Sequence, residues 1–235
     1  MDTTLRRRQR LLPAIPALLV LCAAGSPASL TGKNLTAALH RGGYVILMRH
    51  ASSPGTPPDP AQADPENPRH ERHLDETGRT SARAMGDAFH RLRIPIAQVL
   101  SSPTYRALET VRLADFGPVQ SYDQLGDTGQ NMAPESSSTR GGWLRGKVAQ
   151  APRAGTDTLI ITHAPNIREA FPSEAADLAE GEALIFRPDG HGSASLVARV
   201  NPGLASTGGR SLTSATTRAP TWSARDTIPG PARTR

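Results

Sequence analysis

Strand-like runs alternate with helix-like stretches along this chain, and the alternation limits what the chain can fold into. Four strand-like runs, among them 44–48 and 157–163, are each followed by a stretch whose apolar residues recur at helical spacing. Two further runs separated by "DGHG" predict a C-terminal hairpin. This order predicts an α/β fold, a three-layer α/β/α sandwich with a mainly parallel central sheet and an antiparallel C-terminal hairpin.

Local chemistry predicts where some of these elements begin. Ser102 is expected to cap a helix that starts at Pro103, because serine is a favoured N-cap and proline fits the first helical position. Residues 123–142 are polar and rich in Gly and Ser, which predicts a loop before a short helix at 143–150. Residues 51–76 are rich in Pro, Asp and Glu and predict a surface loop.

The two ends of the chain differ from its middle. Residues 1–28 are typical of a secretion signal, with an arginine-rich start, a short apolar stretch and cleavage after Ala28, which predicts a periplasmic or secreted protein. Lipoprotein processing at Cys22 is the disfavoured alternative, because Leu21 stands where a small residue is wanted. Residues 31–200 are expected to form the folded domain, and residues 201–235 a disordered low-complexity tail.

Charge and cysteine content exclude several classes of function. The formal net charge is +6, but residues 1–30 carry +3 and residues 201–235 carry +4, which leaves −1 for the middle. The predicted domain therefore gives no indication of nucleic-acid binding. Cys22 is the only cysteine, and its loss with the signal would exclude disulfides and cysteine chemistry. No membrane span is expected after signal removal, and the oligomeric state stays open.

Cationic side chains stand where three predicted strands end. Arg49 and His50 follow the first strand, Arg106 lies just after the second, and His163 follows the fourth. Because the carboxyl ends of parallel strands form one crevice, these four residues are expected to converge. Arginine forks and a helix N-terminus bind phosphate oxygens, and a neutral imidazole can attack phosphorus. The pattern indicates a phosphate site.

Four segments in this order resemble the histidine phosphatase superfamily, which has a phosphoglycerate-mutase-like fold. "LMRHASS" resembles its Arg-His-Gly signature, and "LDETGRTSARAMG" resembles the start of its second conserved helix. "VLSSPTYRALETV" and "LIITHAPNI" are similar to its arginine and second-histidine segments. The resemblance spans about residues 43–200, and one motif alone would be weak. The short loops and the predicted signal resemble the small bacterial members of branch 1.

The resemblance implies roles for the four residues. His50 would become a phosphohistidine, while Arg49, Arg106 and His163 would hold the phosphoryl oxygens, with no metal or cofactor. Ala51 and Thr162 depart from the family pattern, because glycine is usual at both positions. The family's proton-donating acid has no clear match. The candidates are Asp123, Asp127 and Glu135.

Several functions remain open at this point. The first hypothesis is a phosphomonoesterase acting on a small phosphate ester or a phosphoprotein, with specificity set by loops 51–76 and 123–142. The alternatives are a non-catalytic phosphate- or phosphoprotein-binding module on the same fold, and a phosphomutase, which the predicted export disfavours. His70 and His73 have the spacing of a metal pair, but without further ligands they are interpreted as part of a solvated loop.

Overall fold

The computed structural model describes residues 29–53, 71–127, 137–201 and 221–223. These residues form five α-helices and seven strands. The helices are α1 (Gly32–Arg41), α2 (Glu76–Arg91), α3 (Tyr105–Leu113), α4 (Ser137–Val148) and α5 (Ala164–Ala170). The strands are β1 (Val45–Arg49), β2 (Ile96–Ser101), β3 (Gln120–Ser121), β4 (Asp157–Thr162), β5 (Ala183–Pro188), β6 (Ser193–Val200) and β7 (Thr221–Ser223).

All seven strands belong to one sheet with the order β3-β2-β4-β1-β5-β6-β7. The pairs β3–β2, β2–β4 and β4–β1 are parallel, and β5, β6 and β7 continue the sheet in antiparallel fashion. The predicted fold class is therefore confirmed, including the C-terminal hairpin, which β5 and β6 form.

Helices cover both faces of the sheet, which explains why the inner strands have no polar face. Ile46 and Met48 of β1 pack in one apolar cluster with side chains from α1, α2 and α3. Val45 and Leu47 point the other way, into a second cluster with side chains from α4 and α5. Because β1 is covered on both sides, its apolar run is continuous rather than alternating.

The parallel strands bring three predicted site segments to one edge of the sheet. In the register of β1 and β4, Arg49 lies opposite Thr162. The backbone N–H of His50 donates to the carbonyl of Thr162 at 3.0 Å, and the N–H of Ser102 donates to the carbonyl of Ile161 at 2.9 Å. The residues that follow β1, β2 and β4 are thus fixed relative to one another by sheet hydrogen bonds.

Two predicted helix starts are wrong. Helix α3 begins at Tyr105 with Thr104 as its N-cap, and the Ser102 hydroxyl instead accepts a hydrogen bond from the Thr104 backbone N–H at 3.2 Å. Helix α4 begins at Ser137, within the segment predicted to be a loop. Its glycines suit the packing: a Cβ on Gly141 would lie 3.0 Å from the Glu169 side chain of α5. Tertiary contact overrides the loop preference here.

Parts of the chain at its ends and in two loops lie outside the described residues. They include the predicted signal with Cys22, most of loop 51–76, and most of the tail. Residues 221–223, predicted to be disordered with the tail, form the edge strand β7, which pairs with β6. Among the described helices, none is long and apolar enough to cross a membrane.

Candidate active site

His50 follows directly on β1 and is buried, with 3% of its surface exposed. Its Nδ1 lies 2.8 Å from the carbonyl oxygen of Ala51. A carbonyl can only accept a hydrogen bond, so Nδ1 carries the ring proton of the neutral imidazole. Nε2 is therefore left with a lone pair, which is the arrangement a nucleophile needs.

Arg106, in the first turn of α3, connects the two histidines. It is only 1% exposed. Its Nε donates to His50 Nε2 at 3.3 Å, and its Nη2 donates to His163 Nδ1 at 3.2 Å. The two imidazole rings stand edge to face, with centroids 5.1 Å apart. The structure thus brings together three of the four residues predicted to converge.

His163 follows β4 and is held from its far side by hydroxyl groups. Because a guanidinium can only donate, Nδ1 accepts from Arg106 and Nε2 carries the proton. Nε2 lies 2.8 Å from the Ser102 hydroxyl and 3.3 Å from the Thr104 hydroxyl. The segment before α3 therefore orients His163. The prediction of Ser102 as a helix cap did not indicate this role.

Burial keeps both histidines neutral. Desolvation is the main cause that lowers the pKa of His50, to about 3, and the charges of Arg106, Arg49 and Arg72 lower it further. Burial, followed by the charge of Arg106, lowers the pKa of His163 well below its ordinary value. Burial also lowers the pKa of both Arg49 and Arg106. A guanidinium nevertheless stays charged at any working pH.

Of the three candidate acids, Asp127 lies beside these groups. Its Oδ2 is 2.5 Å from Arg106 Nη2 and 3.8 Å from His163 Nδ1, and its side chain is 25% exposed. Asp123 is exposed in the turn Asp123–Leu125, and Glu135 lies outside the described residues. The sequence offered no basis for choosing among the three candidate acids, because the contact between Asp127 and Arg106 is made only in three dimensions.

Arg49 is next to His50 in the chain, but its side chain makes a different set of contacts. Nη2 donates to Glu180 Oε1 at 2.8 Å, and Nη1 donates to the carbonyl of Leu178 at 3.3 Å. These hydrogen bonds of Arg49 thus reach the loop before β5 rather than the histidines. Its charge still contributes to the lowered pKa values of both histidines.

Arg72 is a further cation of the site that sequence reasoning missed. Its Nη2 donates to the carbonyl of Ser53 at 2.5 Å, and its Nε donates to the Ser53 hydroxyl at 3.2 Å. Its charge contributes to lowering the pKa of both histidines and of Arg106. Arg72 comes from a polar loop with no periodic pattern, so no sequence signal could have identified it.

Two buried guanidinium nitrogens lack a hydrogen-bond partner among the described residues. They are Nη1 of Arg106 and Nε of Arg49. A buried donor left unsatisfied is costly, and the cost is greater for a charged group. Because guanidinium groups match the oxygens of phosphate and carboxylate, the Nη1 donor of Arg106, on the guanidinium that contacts His50, suits an oxygen of an anion bound there.

The alanine that replaces the family's usual glycine does not disturb this arrangement. Ala51 is 1% exposed and packs in a small apolar cluster with Leu74 and Ala82. Its backbone N–H donates to the Thr110 hydroxyl at 3.2 Å. The added methyl group is therefore accommodated by apolar packing, while the peptide that follows His50 is tied to α3.

The described residues contain no group of three or more His, Cys, Asp or Glu side chains that could share a metal ion. Of the histidine pair weighed as metal ligands, His70 lies outside the described residues. The ring of His73 packs against Tyr105 at a centroid distance of 4.5 Å.

Solved structures share this fold at low sequence identity. The protein histidine phosphatase SixA, solved with tungstate, is 18% identical, with a TM-score of 0.50, over 68% of this chain and 98% of its own. SixA from Agrobacterium tumefaciens is 20% identical, with a TM-score of 0.46, over 68% and 99%. A phosphoserine phosphatase mutant from Entamoeba histolytica, complexed with phosphoserine, is 13% identical, with a TM-score of 0.47, over 66% and 95%.

Sequence comparison gives a family match over part of the chain and no individual relative. No curated protein matches the chain. Residues 45–128 match the family model of the histidine phosphatase superfamily (branch 1), a segment that includes Arg49, His50, Arg106 and Asp127 but ends before His163. Over residues 45–128 this chain is therefore similar to the histidine phosphatase superfamily (branch 1).

Proposed function

We propose that this protein is a metal-independent phosphomonoester hydrolase that works through a phosphohistidine on His50. One observation carries the proposal. The lone pair of His50 Nε2 lies 3.3 Å from Arg106 Nε, and Nη1 of the same guanidinium is a buried donor with no partner in the described part of the chain. A nucleophile beside an unsatisfied cationic donor suits a phosphoryl group.

In the first step, His50 Nε2 attacks the phosphorus of the ester. The N–P bond forms as the bond between phosphorus and the leaving oxygen breaks. Arg106 balances the charge on the phosphoryl oxygens, since positioning and electrostatics do most of the work in phosphoryl transfer. The carbonyl of Ala51 keeps the proton on Nδ1 and so supports the ring as it gains positive charge.

Asp127 is the residue we assign as proton donor to the leaving oxygen. Its carboxyl lies 2.5 Å from Arg106 Nη2 and so beside a phosphoryl group held by that guanidinium. In the second step a water molecule attacks phosphorus, Asp127 accepts its proton, and the N–P bond breaks. Phosphate leaves and His50 regains its lone pair.

The direct test is release of nitrophenol from p-nitrophenyl phosphate by the wild-type protein and by His50→Ala. We expect the variant to lose more than about 10⁴-fold in kcat, as enzymes do without their nucleophile. His191→Ala, in the exposed turn between β5 and β6, is the matched control and should keep wild-type activity.

Two results would redirect the proposal. Equal activity of wild type and His50→Ala would show that the chemistry does not use this histidine. Saturable phosphate binding without turnover would favour the non-catalytic module. Phosphate release without a bisphosphate primer would separate a hydrolase from a phosphomutase.

We further propose that residues 1–28 direct the protein out of the cytoplasm. The support is the sequence pattern of an arginine-rich start, an apolar stretch and a small-residue cleavage site. Cell fractionation of the full chain, beside a chain without residues 1–28, tests this proposal. Cytoplasmic retention of both chains would contradict it.

A further inference from the structure

Two buried side chains hold the segment that carries Asp127. The Thr162 hydroxyl donates to the carbonyl of Leu125 at 2.7 Å. The Asn166 side-chain amide donates to the carbonyl of Gly126 at 2.7 Å and to the Thr162 hydroxyl at 3.1 Å. Thr162 is 0% and Asn166 is 3% exposed, so these are interior hydrogen bonds.

The clamp formed by Thr162 and Asn166 acts on two consecutive carbonyls immediately before Asp127. Leu125 itself is fully buried in the apolar cluster beneath α4 and α5. Carbonyl groups in such a place need donors, and the clamp supplies a donor to each. The backbone leading to Asp127 is therefore fixed by specific donors as well as by apolar packing.

The clamp also fixes the position of Asp127 relative to His163. Thr162 is the residue before His163, and Asn166 lies on α5, which starts immediately after His163. The segment from Thr162 to Asn166 therefore positions both the His163 imidazole and the Asp127 carboxylate. Their nearest atoms, His163 Nδ1 and Asp127 Oδ2, are 3.8 Å apart.

We propose that Thr162 and Asn166 are positioning residues for Asp127, which hold its carboxyl where it can donate a proton to the leaving oxygen. This inference rests on the proposed hydrolase function. It accounts for Thr162, a departure from the glycine usual before the second histidine, because glycine has no hydroxyl and could not hold the Leu125 carbonyl. Neither side chain needs to touch the substrate.

A positioning role predicts a dependence on the leaving group. Nitrophenolate leaves without a proton, whereas the alkoxide of an alkyl phosphate needs one. General acid catalysis contributes about 10²–10⁴-fold where a proton is needed. Thr162→Val and Asn166→Leu should therefore lower kcat/KM for an alkyl phosphate at least about 10-fold more than for p-nitrophenyl phosphate. The ratio kcat/KM reports the step that expels the leaving group.

The experiment measures kcat/KM of the full chain with p-nitrophenyl phosphate and with glycerol 2-phosphate. Asp127→Asn shows how large the selective loss of kcat/KM for glycerol 2-phosphate can be. Thr162→Ser keeps a hydroxyl and should therefore show little of the loss seen in Thr162→Val. Thr158→Val, a buried threonine of the same strand at its opposite end, is the matched control and should not change the ratio of the two substrates. Thermal unfolding of each variant checks that it is folded.

The outcomes separate the two proposals. A selective loss shared by Thr162→Val, Asn166→Leu and Asp127→Asn supports the clamp. An equal loss with both substrates, or a selective loss in Asp127→Asn alone, would overturn the clamp and leave the hydrolase standing. No turnover of either substrate by the wild type would overturn both.

Discussion

The two ends of β4 both bury ionisable groups, and they treat these groups differently. At the carboxyl end, His163 is surrounded by Arg106, Asp127 and two hydroxyls. At the amino end, Asp157 is 0% exposed, and its Oδ1 accepts one hydrogen bond, from the Tyr44 backbone N–H at 2.9 Å. Its Oδ2 has no hydrogen-bond partner in the described part of the chain.

The difference shows how burial acts on groups that can lose their charge and on groups that cannot. Burial lowers the pKa of His50 to about 3 and raises the pKa of Asp157 to about 7, so both favour their neutral forms. Arg106 cannot become neutral. Its Nη2 pairs with Asp127, whereas its Nη1 has no hydrogen-bond partner in the described part of the chain. The carboxyl end of β4 therefore suits an anionic ligand. At the amino end, the buried Asp157 only makes the stability of the fold depend on pH.

Among the effects that follow from this comparison, the largest is expected at Arg106, the group that cannot lose its charge. Arg106→Ala should lower kcat/KM for p-nitrophenyl phosphate by about 10²–10³-fold, because it removes donors aimed at the phosphoryl group. Arg112→Ala, on the exposed side of the same helix, is the control, since the Arg112 side chain is 67% exposed. Comparable losses in both variants would contradict the special role of Arg106.

Asp157 should make the protein less stable as the pH rises. Burial raises the pKa of Asp157 from its ordinary value of 3.8 to about 7, so the folded protein binds the extra proton. The stability that protonated Asp157 contributes to the folded protein is fully present below the unfolded pKa of 3.8 and is lost by pH 8. Between pH 5 and pH 8 the loss in the free energy of unfolding is about 2–3 kcal/mol.

Asp157→Asn should remove this slope, because an amide can still accept from Tyr44 but does not titrate. Urea unfolding at pH 5 and pH 8 measures it. The control is Asp87→Asn on the exposed face of α2, which should keep the wild-type slope. A slope that survives in Asp157→Asn would show that another group causes it.

His50 should give the opposite slope, because burial lowers its pKa from the ordinary value of 6.5 to about 3. The unfolded chain binds the extra proton, so stability is present above pH 6.5 and is lost as the pH falls towards 3. Lowering the pH from 7 to 5 should cost about 2 kcal/mol through this group.

Unfolding of His50→Gln at pH 7 and pH 5 tests the opposite slope. The variant should lose less stability than the wild type, while His191→Gln, in an exposed turn, should behave like the wild type. If His50→Gln and the wild type respond equally to acid, the imidazole is not held neutral in the folded protein.

The smallest effect concerns the ion pair between Arg49 and Glu180, whose side chains are 20% and 31% exposed. Glu180→Gln removes a carboxylate that competes with phosphate for Arg49. Partly exposed pairs contribute up to about 1 kcal/mol, so KM for p-nitrophenyl phosphate should fall by no more than about 5-fold. Asp177 lies in the same loop as Glu180 and pairs with Arg199 of β6. Asp177→Asn removes that pair and should leave KM unchanged. A higher KM in Glu180→Gln would mean that Glu180 orients Arg49 for binding.

Some of the site could be predicted because it depends on local pattern. His50, Arg106 and His163 each follow a recognisable strand, and parallel strands end at one edge of a sheet. Arg72 and the choice of Asp127 could not be predicted, because both lie in segments with no periodicity. The start of α3 was misassigned because the Ser102 hydroxyl, a good cap by local rules, is used by His163.

The sequence by itself determined the order of strands and helices, since hydrophobic periodicity is a local property that each segment carries alone. It also determined which residues stand at the ends of the parallel strands. Only the tertiary structure decided the rest: which acid meets Arg106, where the Arg49 side chain points, and which carbonyl the Thr162 hydroxyl contacts. Those outcomes depend on contacts between residues far apart in the chain, such as Thr162 with Leu125, and no local pattern encodes them.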